Sequence, residues 1–179
     1  MGRIAIQTYK SPAGELILGS YGDALCLADW RDRKDRSAID KRVQQGLKAD
    51  YTESESEVLT LAGKQLDEYF QGLRHTFDLP LLMVGTAFQK CVWKALTDIP
   101  FGTTLSYLEL SKRIGHEKGV RAVASAVGAN ALSLFIPCHR IIGADGALKG
   151  YAGGLEAKRI LLALESGIKA GSDRRPDGL

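Results

Sequence analysis

Residues 136–143 read Ile-Pro-Cys-His-Arg-Ile-Ile-Gly, so a thiol, an imidazole and a guanidinium stand on consecutive positions between apolar neighbours. The chain has only three cysteines and three histidines in 179 residues, and one of each adjoins here. A thiolate is a strong nucleophile, an imidazole can take a thiol proton, and a guanidinium can hold an anion. A second reading is structural. Ile136, Ile141 and Ile142 suggest a buried strand, in which Cys138 packs as a small hydrophobe. Against it, a buried strand does not carry His139 and Arg140 without partners for them. Local composition leaves both readings open, so the elements around the motif have to decide.

The segments leading up to it form two blocks. Arg3–Tyr9, Glu15–Tyr21 and Ala24–Trp30 alternate or run apolar around the Ser-Pro-Ala-Gly turn at 11–14, which predicts a small antiparallel meander. Residues 31–53 are densely charged and are expected to form an exposed loop or a loosely packed helix. Ser54 with Glu57 makes a capping box ahead of a helix that carries Val58, Leu61, Ala62, Leu66 and Tyr69. Residues 76–83 then read as a strand with Pro80 at its edge. Residues 1–85 are therefore expected to be one α+β domain.

From Thr86 the pattern turns helical. Phe88, Cys91, Val92, Ala95 and Leu96 share a stripe, placing Cys91 in the core, where Cys26 is expected as well. Thr104 or Ser106 caps a helix with Tyr107, Leu110 and Ile114 on one face, and Gly115 ends it. A second helix places Val120, Val123, Ala124 and Val127 together, giving a helix-turn-helix. Its outer side, Ala122, Ala124, Ser125, Ala126, Gly128 and Ala129, is almost bare apart from Arg121. Such a face lets backbone approach another surface closely, either a packed helix or a nucleic-acid groove. After the cysteine segment, 141–149 read as a hairpin and 150–154 as a glycine-rich loop. A last helix, 155–165, packs Leu155, Leu162 and either Ile160 or Leu161. Glu165 ends it at the pole where the helix dipole disfavours an anion, so it needs water or a positive partner, for which His139 is suited. Residues 86–165 form the second expected domain, and 166–179 a disordered tail.

Composition narrows the classes of function. Apolar content of 45% and charged content of 25% are those of a soluble globular chain, and no apolar run is long enough to span a membrane. Three widely spaced cysteines suit neither a disulfide framework nor a zinc knuckle, which with the lack of a signal-like start points to the cytoplasm. Lysine and arginine number 11 against 13 acidic residues in 1–85, but 10 against 6 in 86–165. Any polyanion is expected to meet the second half.

Several motifs then coincide in order. Phe101-Gly102, Ser106-Tyr107, Arg121-Ala122-Val123, Asn130, Pro137-Cys138-His139-Arg140, Tyr151-Ala152-Gly153-Gly154 and Leu161-Leu162-Ala163-Leu164-Glu165 closely resemble the O6-alkylguanine-DNA alkyltransferases, the methylated-DNA–protein-cysteine methyltransferases of DNA repair. The resemblance covers 86–165, and residues 1–85 resemble the amino-terminal domain of the bacterial stand-alone enzymes. It implies a small ribonuclease H-like domain joined to a mostly helical domain with a helix-turn-helix. It further implies that Cys138 takes an alkyl group from O6 of guanine in duplex DNA, with O4 of thymine a second possible target.

On this resemblance Glu165 orients His139, a water links the imidazole to the thiol, Asn130 ties the cysteine turn, and Tyr107 donates a proton to the departing guanine. A thiol with a pKa of ~8.5 is mostly protonated at neutral pH, so such help is needed. In a strand, residues 138 and 139 face opposite ways, which agrees with a bridged contact. Arg121, Ala122, Ala124, Ser125 and Arg140 are implied DNA contacts. Val127, Ser133, Tyr151, Ala152 and Gly153 are implied to form the pocket for the base and alkyl group. Ala152 departs from relatives that carry serine there, which removes a hydroxyl contact. The product is a thioether with no carbonyl for water to attack, so each molecule reacts once, without metal or cofactor. The expected partner is damaged duplex DNA, bound by a protein expected to be monomeric in solution, with association along DNA left open. Two other classes stay open at this point: a cysteine hydrolase or acyltransferase on the same residues, and a non-catalytic DNA-binding module.

Overall fold

The computed structural model describes residues 2–167. Three strands, β1 (Gly2–Ser11), β2 (Gly14–Tyr21) and β3 (Ala24–Trp30), form the expected meander. Ser11 Oγ accepts from Ala13 N at 3.1 Å and donates to Gly14 O at 2.7 Å, fixing the first turn, and Gly22 takes a positive φ of 58° in the second. Residues 31–53 take the helical one of the two expected alternatives and add a strand that was not expected. They contain a helix, α1 (Arg36–Leu47), and a fourth strand, β4 (Ala49–Glu53), which lies parallel to β1 and gives the sheet order β3-β2-β1-β4. Two buried residues, Ile39 and Val43, suffice to seat α1. Their i,i+4 spacing is masked in the sequence by the charged residues around them, among them Arg36, Asp40 and Arg42.

Helix α2 (Glu57–Phe70) buries Leu59, Ala62, Leu66 and Tyr69. Its cap is Ser56, not Ser54: Ser56 Oγ accepts from Leu59 N at 3.1 Å and meets Ser20 Oγ at 2.7 Å, which ties the helix start to β2. Segment 76–83 is not a full strand. It makes one bridge, Leu25 with Leu81, because Pro80 and the turn around it supply carbonyls but no continuous ladder.

Helix α3 (Ala87–Thr97) starts at a reciprocal Thr86–Gln89 capping box. It turns Val92, Trp93 and Leu96 inward and leaves Cys91 exposed, so the core stripe lies one position round from the expected one. The large indole wins the interior, where Trp93 Nε1 donates to Ala126 O at 2.8 Å. Helices α4 (Tyr107–Arg113) and α5 (Val120–Gly128) form the helix-turn-helix, joined through Gly115 (φ 72°) and a 3-10 turn at Glu117–Gly119. Ser106 caps α4 by accepting from Glu109 N. Ala126 faces the core rather than solvent, in contact with α3, whereas Arg121, Ala122 and Ser125 are exposed as expected. The expected hairpin at 141–149 is absent. Ile141–Ile142 (β6) instead pairs in parallel with Leu105–Ser106 (β5), and Gly143 N closes a turn onto Ala147 O.

Helix α6 (Leu155–Ser166) buries Leu161 and Leu162 but exposes Leu155 by half, since the helix begins at a glycine on the surface. One apolar cluster runs from Leu16 and Leu18 of the sheet through Leu66, Val92 and Val123 to Leu161. Residues 168–179 of the expected tail lie outside the described residues.

Candidate active site

Everything from Asn130 to Ile142 is buried, polar residues included. This is possible because most of the polar groups of the loop, beginning with Asn130, are paired. The Asn130 amide donates to Ile136 O and its carbonyl accepts from Leu132 N, both at 2.9 Å, so one side chain closes the loop across its base. Within it Leu134 adopts the left-handed region, φ 74°, a conformation that costs a branched side chain about 1 kcal/mol and persists only when surroundings enforce it. The enforcing neighbour is β3. Ala28 N donates to Ala131 O and Ser133 N donates to Ala28 O, each at 2.8 Å, so the loop is strapped onto the sheet of the first half.

The loop delivers Cys138, His139 and Arg140 into a single 3-10 turn rather than a strand. Pro137, with φ −79° and ψ 64°, is the bend that breaks the extended run, and a strand would have pointed His139 and Arg140 to opposite sides. In the turn both reach α6. His139 Nε2 lies 2.6 Å from Glu165 Oε2, while Arg140 Nε donates to Oε1 at 2.7 Å and Nη2 to Oε2 at 3.1 Å. Gly102 N gives Oε1 a further bond at 3.3 Å, and Tyr69 OH gives Oε2 one at 2.6 Å. Arg140 Nη1 donates to Ile99 O at 2.6 Å. Arg140 is thus fully engaged inside the protein, its side chain 7% exposed, which corrects its expected place among DNA contacts.

The charges follow from this packing. Burial would raise the Glu165 carboxyl, but the hydrogen bonds and charges from His139 and Arg140 outweigh it and hold it well below the usual carboxylate range. Burial drives His139 the other way, below its ordinary value, so at neutral pH the ring is neutral and donates Nε2–H to an ionised Glu165. That leaves Nδ1 as an acceptor, buried and without a partner among the described residues. Burial pushes the Cys138 thiol up, against the Asn130 side chain and the positive charges of Lys158 and Arg33. Tyr107, half-buried at the start of α4, is raised by burial and by the nearby Cys138, so its hydroxyl keeps its proton.

Tyr151 sits across the site, its ring centroid 6.5 Å from that of His139 and 5.8 Å from that of Trp30. The Tyr151 hydroxyl, Ser133 Oγ and Trp30 Nε1 are buried without hydrogen-bond partners among the described residues. Val127 is also buried, and Ala152 and Gly153 are half-buried on the loop beside Tyr151. The loop is held from below by Lys158, whose fully buried side chain donates from Nζ to Lys149 O at 2.8 Å and whose ammonium is lowered by burial to about 8. The structure therefore gathers Asn130, Cys138, His139, Glu165, Tyr107, Ser133 and Tyr151. It leaves Arg121, Ala122 and Ser125 exposed on α5, with Ala124 partly so.

Sequence reasoning missed a group from the first half. Arg33 donates to Asp29 Oδ1, to Gly128 O at 2.8 Å and to Asn130 O at 3.3 Å, and Arg42 Nη2 donates to Ala129 O at 2.7 Å. Two guanidiniums thereby satisfy the three carbonyls at the end of α5, where the helix dipole is negative. The available signal was Asp29, a carboxylate inside the apolar run Ala24–Trp30 that demanded a cation four residues on.

Comparison with known proteins agrees with this arrangement. A family profile described as the ribonuclease-like domain of 6-O-methylguanine DNA methyltransferase matches residues 4–83, and one described as the DNA binding domain of the same protein matches 87–167. Methylated-DNA–protein-cysteine methyltransferase of Methanosarcina barkeri is 42% identical over 87% of this chain and 93% of its own. The constitutive enzyme of Bacillus subtilis is also 42% identical, over 88% and 93%. A crystal structure of Mycobacterium tuberculosis OGT in complex with DNA superposes with a TM-score of 0.79 at 38% identity, covering 92% of this chain and 93% of that one. These matches define a class, a ribonuclease-like half joined to a helical DNA-binding half. The chain belongs to the methylated-DNA–protein-cysteine methyltransferase family.

Proposed function

We propose that Cys138 accepts the alkyl group from O6-alkylguanine in duplex DNA, and that His139, Glu165, Asn130 and Tyr107 make that transfer possible. The protein repairs DNA by direct alkyl transfer to its own cysteine. The observation that carries the residue assignment is the His139 ring: Glu165 takes Nε2–H, and the buried Nδ1 is left free one residue from the thiol. A thiol raised by burial is protonated at neutral pH, so attack requires its proton to leave as the sulfur reacts. His139 Nδ1 receives that proton through a bridging water, and Glu165 stabilises the imidazolium that results.

The sulfur then attacks the saturated alkyl carbon, the carbon–O6 bond breaks, and its electron pair stays on guanine. Tyr107, kept protonated by its surroundings, supplies a proton to the guanine as charge develops. In net terms the thiol hydrogen replaces the alkyl group on the base. Asn130 holds the loop that aims Cys138. The target base must leave the stack to reach a buried sulfur. The bare exposed face of α5 suits close approach to DNA, with Arg121 its one long side chain there. The pocket for the flipped base lies among Val127, Ser133, Tyr151, Ala152 and Gly153. The free thiols of Cys26, Cys91 and Cys138 suit a reducing cytoplasm, and no helix among the described residues is long and apolar enough to cross a membrane.

The test is intact-protein mass after incubation with a duplex containing O6-methylguanine. Wild type gains one methyl group and stops. Cys138→Ala binds the duplex and gains none. Release of many product molecules per protein, or no gain on wild type, overturns the proposal in favour of a hydrolase or of a binding module.

A further inference from the structure

Glu165 is not held by its own half of the chain alone. Tyr69, near the end of α2 and 96 residues away, donates its hydroxyl to Glu165 Oε2 at 2.6 Å. The same oxygen accepts His139 Nε2–H at 2.6 Å. Tyr69 is 1% exposed, and its ring lies among Phe70, Phe77 and Phe101 at centroid distances of 5.1, 5.5 and 6.1 Å. A phenylalanine would pack as well in such surroundings, so apolar packing does not call for the hydroxyl. Among the described residues its hydroxyl bonds to the carboxylate alone.

We propose that Tyr69 is a positioning residue for alkyl transfer: its hydroxyl fixes Glu165 and moderates the pull of that carboxylate on His139, so that the amino-terminal half takes part in the reaction. This rests on Cys138, His139 and Glu165 working as described above. A carboxylate oxygen shared between two donors binds each less tightly than it would bind one alone. With Tyr69 in place, Glu165 orients the imidazole without drawing it into the charged state. Without the hydroxyl, Oε2 turns its unmet capacity on His139 and favours the imidazolium, which cannot accept the thiol proton.

The other ionisable groups facing this pair are known. Arg140 lies on both carboxylate oxygens, while Lys158 on α6 acts through its charge on His139 and Tyr151 on the glycine-rich loop acts on Tyr69. Gly102 N adds a neutral donor, and His75 stacks on the far side of Phe101 at 3.9 Å. Tyr69 itself stays protonated, since burial and the adjacent Glu165 charge both raise it.

The experiment measures single-turnover methyl transfer against pH for wild type, Tyr69→Phe and a protein with 3-fluorotyrosine at position 69, a stronger donor of nearly the same shape. Tyr69→Phe moves the rising limb of the profile to higher pH by about half to one unit, and fluorotyrosine moves it to lower pH. A merely structural tyrosine would lower the rate at every pH and leave the limb in place. Superimposable limbs for all three proteins overturn the proposal. If wild type transfers no methyl, the assignment of Cys138 has failed instead. The Tyr69 contact is then read from the His139 ring-nitrogen NMR titration in wild type and Tyr69→Phe, where equal midpoints refute it.

Discussion

Arg140→Met separates two roles that the same residue could have. The guanidinium makes three short bonds, to Glu165 Oε1 at 2.7 Å, to Glu165 Oε2 at 3.1 Å and to Ile99 O at 2.6 Å, and its side chain is 7% exposed. Methionine keeps most of the aliphatic length and removes the charge and all three donors. Breaking a buried ion pair from one side costs about 3–5 kcal/mol, because the remaining charge stays in a medium that solvates it poorly. Here Glu165 keeps Tyr69, His139 and Gly102 N, which places the loss near the lower end, at about 3 kcal/mol. For a chain of this size that lowers the melting temperature by roughly 6–12 °C, followed through Trp30 and Trp93 fluorescence. DNA affinity is measured alongside at 50 to 200 mM salt. Each lost phosphate contact would reduce the slope of log affinity against log salt by about 0.9, whereas a buried Arg140 leaves the slope unchanged. A variant that melts like wild type but binds DNA with a shallower salt slope would refute the reasoning.

Two further outcomes follow from the packing and from the charges. A Cβ on Gly153 would meet Trp30 Cδ2 and Cε2 at 2.6 Å, so Gly153→Ala is expected to cost about 1–3 kcal/mol and to slow methyl transfer by displacing Tyr151; transfer at the wild-type rate would show that this loop is not keyed to Trp30. Both members of the buried pair make the protein acid-sensitive. The folded His139 resists protonation, so stability falls once pH drops below the free imidazole value of about 6.5; the carboxylate of Glu165 is depressed in the fold, so its contribution is present above about 4.3 and is lost as pH falls through its lower folded value. Urea midpoints measured from pH 7 to 3 are expected to fall throughout for wild type and to flatten below pH ~4.3 in Glu165→Gln, and parallel curves would refute the assignment.

What could be read from the sequence was local in origin. The meander, α2, α3 and the helix-turn-helix all announce themselves through periodicity, caps and turn glycines, which depend on residues within one or two turns of each other. Errors arose where a local pattern was outvoted. Cys91 belongs to an apolar stripe, yet Trp93 buries more surface and rotates α3 to suit itself. Residues 31–53 are charged enough to leave loop and helix both open; two aliphatic residues decide for α1, and a parallel pairing with β1 adds the unexpected β4. The short Ile141–Ile142 segment needed a strand partner, and its partner, Leu105–Ser106, is too short to be recognised alone.

The site divides along the same line. Cys138, His139 and Glu165 stand out by residue type and by the anomaly of an anion at a helix end, and the structure sets His139 on Glu165 with Cys138 the preceding residue of the same 3-10 turn. Its supports were not legible, because they are contacts across 95 to 97 residues: Tyr69 on Glu165, Arg33 on the carbonyls of Gly128 and Asn130. Each supplies a hydrogen bond to a group that its own half leaves incomplete, the carboxylate at one point and the end of α5 at the other. A buried group left unsatisfied costs about 1–3 kcal/mol, so these contacts couple the placement of the proposed reacting residues to the folding of the ribonuclease-like half. It follows that the ribonuclease-like half holds the proposed reactive geometry in place as well as contributing to the apolar core.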